Sequence, residues 1–189
     1  MALTNSNCFF NYSFCLLFLG AILSLSLFLL LDNNRYVQRR SELKDYCPGE
    51  LDPVFGGCVG EGETYEENAV RELEEELGVS DAKLEHLFTF FYDGSPLDEP
   101  SIWGDVWETE INMNIDELQL QPEEVEEVFL MLPAEIIGMD DMRNEETPVE
   151  KRITKDSVAC LRMYVERRRR GGGERCAEME SESGSKSKY

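Results

Sequence analysis

Three glutamates, Glu72, Glu75 and Glu76, fall at i, i+3 and i+4 of a run with helical period, so their carboxylates share one face within about one turn. Like charges at this spacing repel by about 0.2–0.5 kcal/mol per pair. A dication held between them reverses the sign, and dense hard oxygen ligands suit Mg²⁺ or Mn²⁺. A Glu-rich helix face usually means solvation alone. Two neighbours weigh against that reading here. The glycine-rich GGCVGEG precedes the run, with a backbone flexible enough to approach an ion or a phosphate closely. Arg71 stands four residues after Glu67, where its guanidinium can orient the acids.

The element that must position these acids is a helix opening at Thr64. Thr64 and Glu67 form a capping-box pattern, in which a hydroxyl and a carboxylate three residues apart each satisfy a free backbone N–H. Gly78 closes the helix as a residue that tolerates left-handed angles. Val70, Leu73 and Leu77 are the expected buried stripe.

Gly57, five residues, Glu63, seven residues and then Arg71-Glu72-Leu73-Glu74-Glu75-Glu76-Leu77-Gly78-Val79 match every fixed position of the Nudix box, so the chain resembles the Nudix hydrolases. The resemblance implies an α/β (α+β) fold, a mixed sheet sandwiched between helices. It implies Mg²⁺, or Mn²⁺, on Glu72, Glu75 and Glu76, with the Gly57 carbonyl as a further ligand. Glu63 and Arg71 then look like the pair that orients the cluster, with Gly78 structural. The segment QRRS…KDYCPG…DP…GG before the box resembles the branch near isopentenyl-diphosphate isomerase, and this likeness covers residues 34–165. In that branch an acidic residue on the strand after the box helps bind metal, which points to Asp105, with Glu108 second. Many relatives also complete the site with a later glutamate, and Glu123, Glu124, Glu126 and Glu127 are equal candidates.

The 189 residues allow one domain plus tails, and 42% hydrophobic content supports a core. A formal charge of −21 argues against general nucleic-acid binding and suits a site that recruits cations. Six cysteines at 8, 15, 47, 58, 160 and 176 show neither CxxC nor regular spacing, so neither a zinc ribbon nor a disulfide scaffold is indicated.

Residues 1–31 form a separate hydrophobic block. Its uncharged run Ser13–Leu31 has the length of a transmembrane helix, and the Arg35, Arg39, Arg40 and Lys44 that follow favour an N-out, C-in anchor with a cytoplasmic domain. A cleaved signal peptide, or a wrongly assigned start to a soluble cytoplasmic chain, are the competing readings. The block stands where relatives carry their first strand, so that strand is expected to be missing. Residues 32–168 then form the hydrolase domain and 169–189 a disordered polar tail.

Tyr36–Arg39, Ala82–Tyr92 and Ser101–Ile111 read as strands, Val125 onward as an apolar run, Ala134–Gly138 as a short helix and Thr154–Arg168 as an amphipathic helix. Arg39, Arg40 and Lys44 are the basic cluster nearest the box and the candidates for holding substrate phosphates. Trp103 and Trp107 are expected in the core before a base-stacking role. The expected reaction is hydrolysis of a phosphoanhydride in a nucleoside diphosphate-linked or related diphosphate. The isomerase is an alternative, weakened because His86 is the single histidine and Cys58 lies inside the box. A membrane-tethered, non-catalytic nucleotide- or metabolite-binding module is another, weakened because every box glutamate is present.

Overall fold

A computed structural model describes residues 22–183 other than 98 and 100. Its centre is the strand β1 (Ile22–Leu31). A two-residue turn, with Asp32 at φ 55°, reverses the chain into β2 (Asn34–Arg40). Then come β3 (Leu51–Asp52), α1 (Tyr65–Leu77), β4 (Glu85–Tyr92), β5 (Ile102–Glu110), β6 (Val125–Met131), α2 (Pro133–Asp141) and α3 (Lys155–Ser183). The sheet order is β3-β2-β1-β5-β4, with β6 on β2. β1 and β5 run parallel from Ile22↔Ile102 to Leu30↔Glu110, and the other pairings are antiparallel. This is an α/β fold, a mixed sheet flanked by helices, as expected.

The expected membrane helix is overturned by β1. Its pairing with β5 uses the backbone groups that a helix would bond internally. Leu25, Leu27 and Leu29 pack with α1 on one face, while Phe28 joins α2 and α3 on the other. A strand buried on both faces needs apolar residues at nearly every position, which is the pattern misread as a membrane span. No helix among the described residues is long and apolar enough to cross a membrane. The N-out, C-in anchor, its membrane contact and the localisation built on them therefore fall, and the strand expected to be missing is β1 itself. The part of the predicted span before residue 22 lies outside the described residues.

α1 carries the capping box in full: Thr64 Oγ1 accepts from the Glu67 N–H at 3.2 Å and the Thr64 N–H donates to Glu67 Oε2 at 2.9 Å. Gly78 ends it at φ 68°, its N–H donating to the Glu74 carbonyl. Two of the three residues expected in the buried stripe, Leu73 and Leu77, are buried. Ala69, Leu73, Glu76 and Leu77 face the sheet, whereas Val70 is 44% exposed. On the opposite face Ile136, Val158, Leu161 and Tyr164 cover Phe88, Phe90 and Val106. α3 continues through Arg167–Arg170 into the stretch that composition reads as tail. Residues 184–189 lie outside the described residues.

Candidate active site

The glycine bend before α1 is stitched to β1. Leu27 and Phe55 exchange backbone hydrogen bonds at 2.9 and 3.0 Å, the Leu25 N–H donates to the Gly57 carbonyl at 2.9 Å, and the Val59 N–H donates to Leu23. A Cβ on Gly56, at φ 127°, would stand 2.7 Å from the Leu25 carbonyl oxygen, so only glycine lets the bend lie this close. A Cβ on Gly57 would stand 2.9 Å from Glu72 Oε1. The Glu72 carboxylate thus lies directly over the bend.

Glu63 and Arg71 organise the helix face. Glu63 accepts from the Gly60 N–H at 3.0 Å, from Asn68 Nδ2 at 2.9 Å and from Arg71 Nε at 2.9 Å. The Arg71 bond, backed by the Gly60 and Asn68 donors, holds the Glu63 carboxyl down at about 2. Arg71 spreads its guanidinium over two more acids, Nη2 to Glu72 Oε1 at 2.9 Å and Nη1 to Glu75 Oε2 at 3.0 Å. Asn68, absent from the sequence reading, also donates to the Cys58 carbonyl at 3.2 Å and so ties bend to helix.

Glu76 is 3% exposed, and its Oε2 has no hydrogen-bond partner. Burial, reinforced by Glu72, pushes its carboxyl well above the ordinary carboxylate range; burial likewise raises Glu72, against the pull of Arg71. Glu124 is the later glutamate that reaches this pair. The Gln119 and Gln121 N–H groups donate to the Leu77 and Glu76 carbonyls, and the Ser41 N–H donates to the Glu124 carbonyl at 3.0 Å. That clasp leaves the Glu124 carboxylate acting on both Glu72 and Glu76 and paired with Lys44 Nζ. Glu127, by contrast, is 59% exposed and stands 3.8 Å from Arg39.

Other expected members have partners of their own, although the charge of Arg40 also acts on Glu76 and Asp105 lies in register with Leu25. Arg40 bonds Asp52 Oδ2 at 3.1 Å and the Tyr46 carbonyl at 3.0 Å. Arg39 bonds the Glu150 carbonyl at 3.0 Å and lies over the Phe129 ring. Asp105 accepts from Thr89 Oγ1 at 2.7 Å and Trp107 Nε1 at 2.9 Å, and its Oδ1 is 3.0 Å from His86 Nε2. Glu108 points to the other face, on Tyr164 Oη at 2.9 Å. Trp107 is partly buried against the core, but Trp103 is 47% exposed beside Phe91.

Among the described residues no three His, Cys, Asp or Glu side chains are already gathered around one point. Arg71 is paired with Glu72 and Glu75, and Lys44 with Glu124. The donor set still fits a hard dication. A buried Glu76 carboxylate oxygen without a hydrogen-bond partner and the Glu72 carboxylate against the Gly57 backbone are hard oxygen donors of the kind such an ion takes.

The sequence model of the NUDIX domain matches residues 23–156. An uncharacterized Nudix hydrolase of Yersinia pestis is 35% identical over 131 residues, 69% of this chain and 63% of that protein. One of Pseudomonas aeruginosa is 36% identical over 132 residues, 69% of each chain. The match to the Yersinia protein thus spans less than two thirds of its length. Among solved structures, a Deinococcus radiodurans protein superposes with a TM-score of 0.61 at 24% identity, over 75% of this chain and 82% of that one. The NUDIX domain of a Shewanella oneidensis protein does so at 0.57 and 19%, over 87% and 99%. These matches show the family and not a branch within it. With the box stitched to β1 and the match beginning inside that strand, the chain belongs to the NUDIX domain family.

Proposed function

We propose that this chain is a Mg²⁺-dependent hydrolase that cleaves a phosphoanhydride in a nucleoside diphosphate-linked or related diphosphate. The observation that carries this reading is Glu76: a buried carboxylate with an unpartnered oxygen, facing Glu72 and Glu124, is costly unless a cation belongs there. Glu72, Glu76 and the Gly57 carbonyl would hold the ion, with Glu75 joining when it leaves Arg71. When bound, Mg²⁺ neutralises diphosphate charge and acidifies an attacking water. Arg71, fixed by Glu63, keeps the acids in register. A box carboxylate or Glu124 accepts the water's proton. Lys44 is the basic residue placed to meet a substrate phosphate, while Arg39 and Arg40 brace the loop around it. Asp105, held by His86, Thr89 and Trp107, supports the sheet rather than the ion.

The test is incubation of the full chain with a panel of diphosphates, with and without Mg²⁺. Mg²⁺-dependent product is expected from wild type and at least about 100-fold less from Glu76→Gln. Equal turnover in the variant would contradict the assignment. A binding module is the second reading, favoured by the fold shared with the Shewanella NUDIX domain, which was crystallised with ADP ribose. Tight ADP-ribose binding without turnover would select it. Product from isopentenyl diphosphate would select the isomerase.

A further inference from the structure

We propose that Lys44 is a resident counter-cation of the box: without metal its ammonium neutralises Glu124 beside Glu76, and an entering dication displaces it toward the substrate's diphosphate. This rests on the metal-dependent reading above and adds an order of events to it.

The placement is built by backbone. Lys44 follows β2, and its N–H donates to the Ser41 carbonyl at 3.1 Å, while the Ser41 N–H holds the Glu124 carbonyl at 3.0 Å. Two loops 80 residues apart in sequence are thereby clasped, and Lys44 Nζ lands on Glu124 Oε2. From there its charge acts on Glu76, the acid whose Oε2 lacks a partner. The ammonium is thus placed to offset the excess negative charge that a metal would otherwise neutralise.

The same contacts make Lys44 the basic residue most able to leave. Arg40 is fixed by Asp52 and the Tyr46 carbonyl, and Arg39 by the Glu150 carbonyl and the Phe129 ring. The Lys44 and Glu124 side chains retain 26% and 31% of their exposure, so an ion can reach the pair from solvent. Lysine is a flexible point charge that moves without losing a planar hydrogen-bond fork. A dication beside Glu124 and Glu76 repels the ammonium, and the diphosphate is the nearest new partner with the opposite sign. Metal and diphosphate then assist each other's binding through one side chain, and the assistance must be reciprocal.

Mn²⁺ binding to the full chain, read from the free-ion electron paramagnetic resonance signal without diphosphate, tests this. Lys44→Met and Lys44→Gln are each expected to bind Mn²⁺ about 3–10-fold more tightly than wild type. In a Glu124→Gln background the same replacements are expected to give no gain. Added inorganic pyrophosphate should tighten Mn²⁺ binding to wild type and do so less in the lysine variants. Unchanged or weaker binding in both lysine variants overturns the proposal. So does a gain of undiminished size in the Glu124→Gln background, which would make Lys44 a distant charge and not the occupant of Glu124. A wild type that binds no Mn²⁺, with or without pyrophosphate, removes the metal-dependent reading itself.

Discussion

A carboxylate that is 3% exposed, faces a second carboxylate and leaves one oxygen unpartnered lowers the stability of the metal-free fold. Its folded pKa is raised, so the unfolded state loses its proton first and the cost appears as pH rises above the ordinary carboxylate value. Glu76→Gln is therefore expected to melt a few degrees above metal-free wild type at pH 7, with the gap closing below about pH 4.5. Mg²⁺ should raise the melting temperature of wild type and leave the variant unmoved. A variant less stable than wild type at pH 7 would contradict this account of the site. Glu63 has the opposite sign. Its carboxyl is held at about 2, so its contribution is full above the unfolded value and is lost as pH falls toward 2. Glu63→Gln should cost about 1–3 kcal/mol at neutral pH in urea unfolding, shrinking in acid. Parallel pH profiles for the two proteins would count against it. The box residues were legible because their spacing is rigid along one helix. Leu73 and Leu77 of the stripe were read correctly and Val70 was not, because Val70 is the more apolar side chain whereas Ala69 is the one turned to the sheet. Glu124 was not legible over its three neighbours. Its choice depends on Lys44 and Ser41, brought beside it by the β2–β6 pairing.

At the scale of elements, β1 backs the glycine bend as well as the core. Its Leu25 N–H positions the Gly57 carbonyl, and its Leu27 and Phe28 are fully buried on opposite faces. Phe28→Ala is expected to cost about 3–5 kcal/mol in urea unfolding. A chain beginning at Asp32 loses the strand between β2 and β5 and should give no cooperative melt. Cooperative unfolding of that truncated chain would show β1 to be dispensable. The helices and three of the six strands, β2, β4 and β5, were readable from period and caps, since each signal lies within a dozen residues. β1 was not. Hydropathy cannot separate a strand covered on both faces from a membrane span, and the partner that settles it, β5, begins 80 residues downstream of Ile22 at Ile102.

The whole molecule carries 39 acidic against 18 basic residues, and its basic groups near the site are already paired with acids or carbonyls. Such a surface draws cations and repels free polyanions, so substrate is expected to arrive complexed with metal or after metal has bound. On the proposed reading the box holds a dication against a diphosphate, and cleavage depends on it. The most direct measurement is ³¹P nuclear magnetic resonance of a nucleoside diphosphate-linked panel with the full chain, comparing wild type and Glu76→Gln at saturating Mg²⁺ and in chelator. New phosphorus resonances are expected from wild type with Mg²⁺ alone. Cleavage that persists in chelator, or proceeds equally in Glu76→Gln, would contradict that reading.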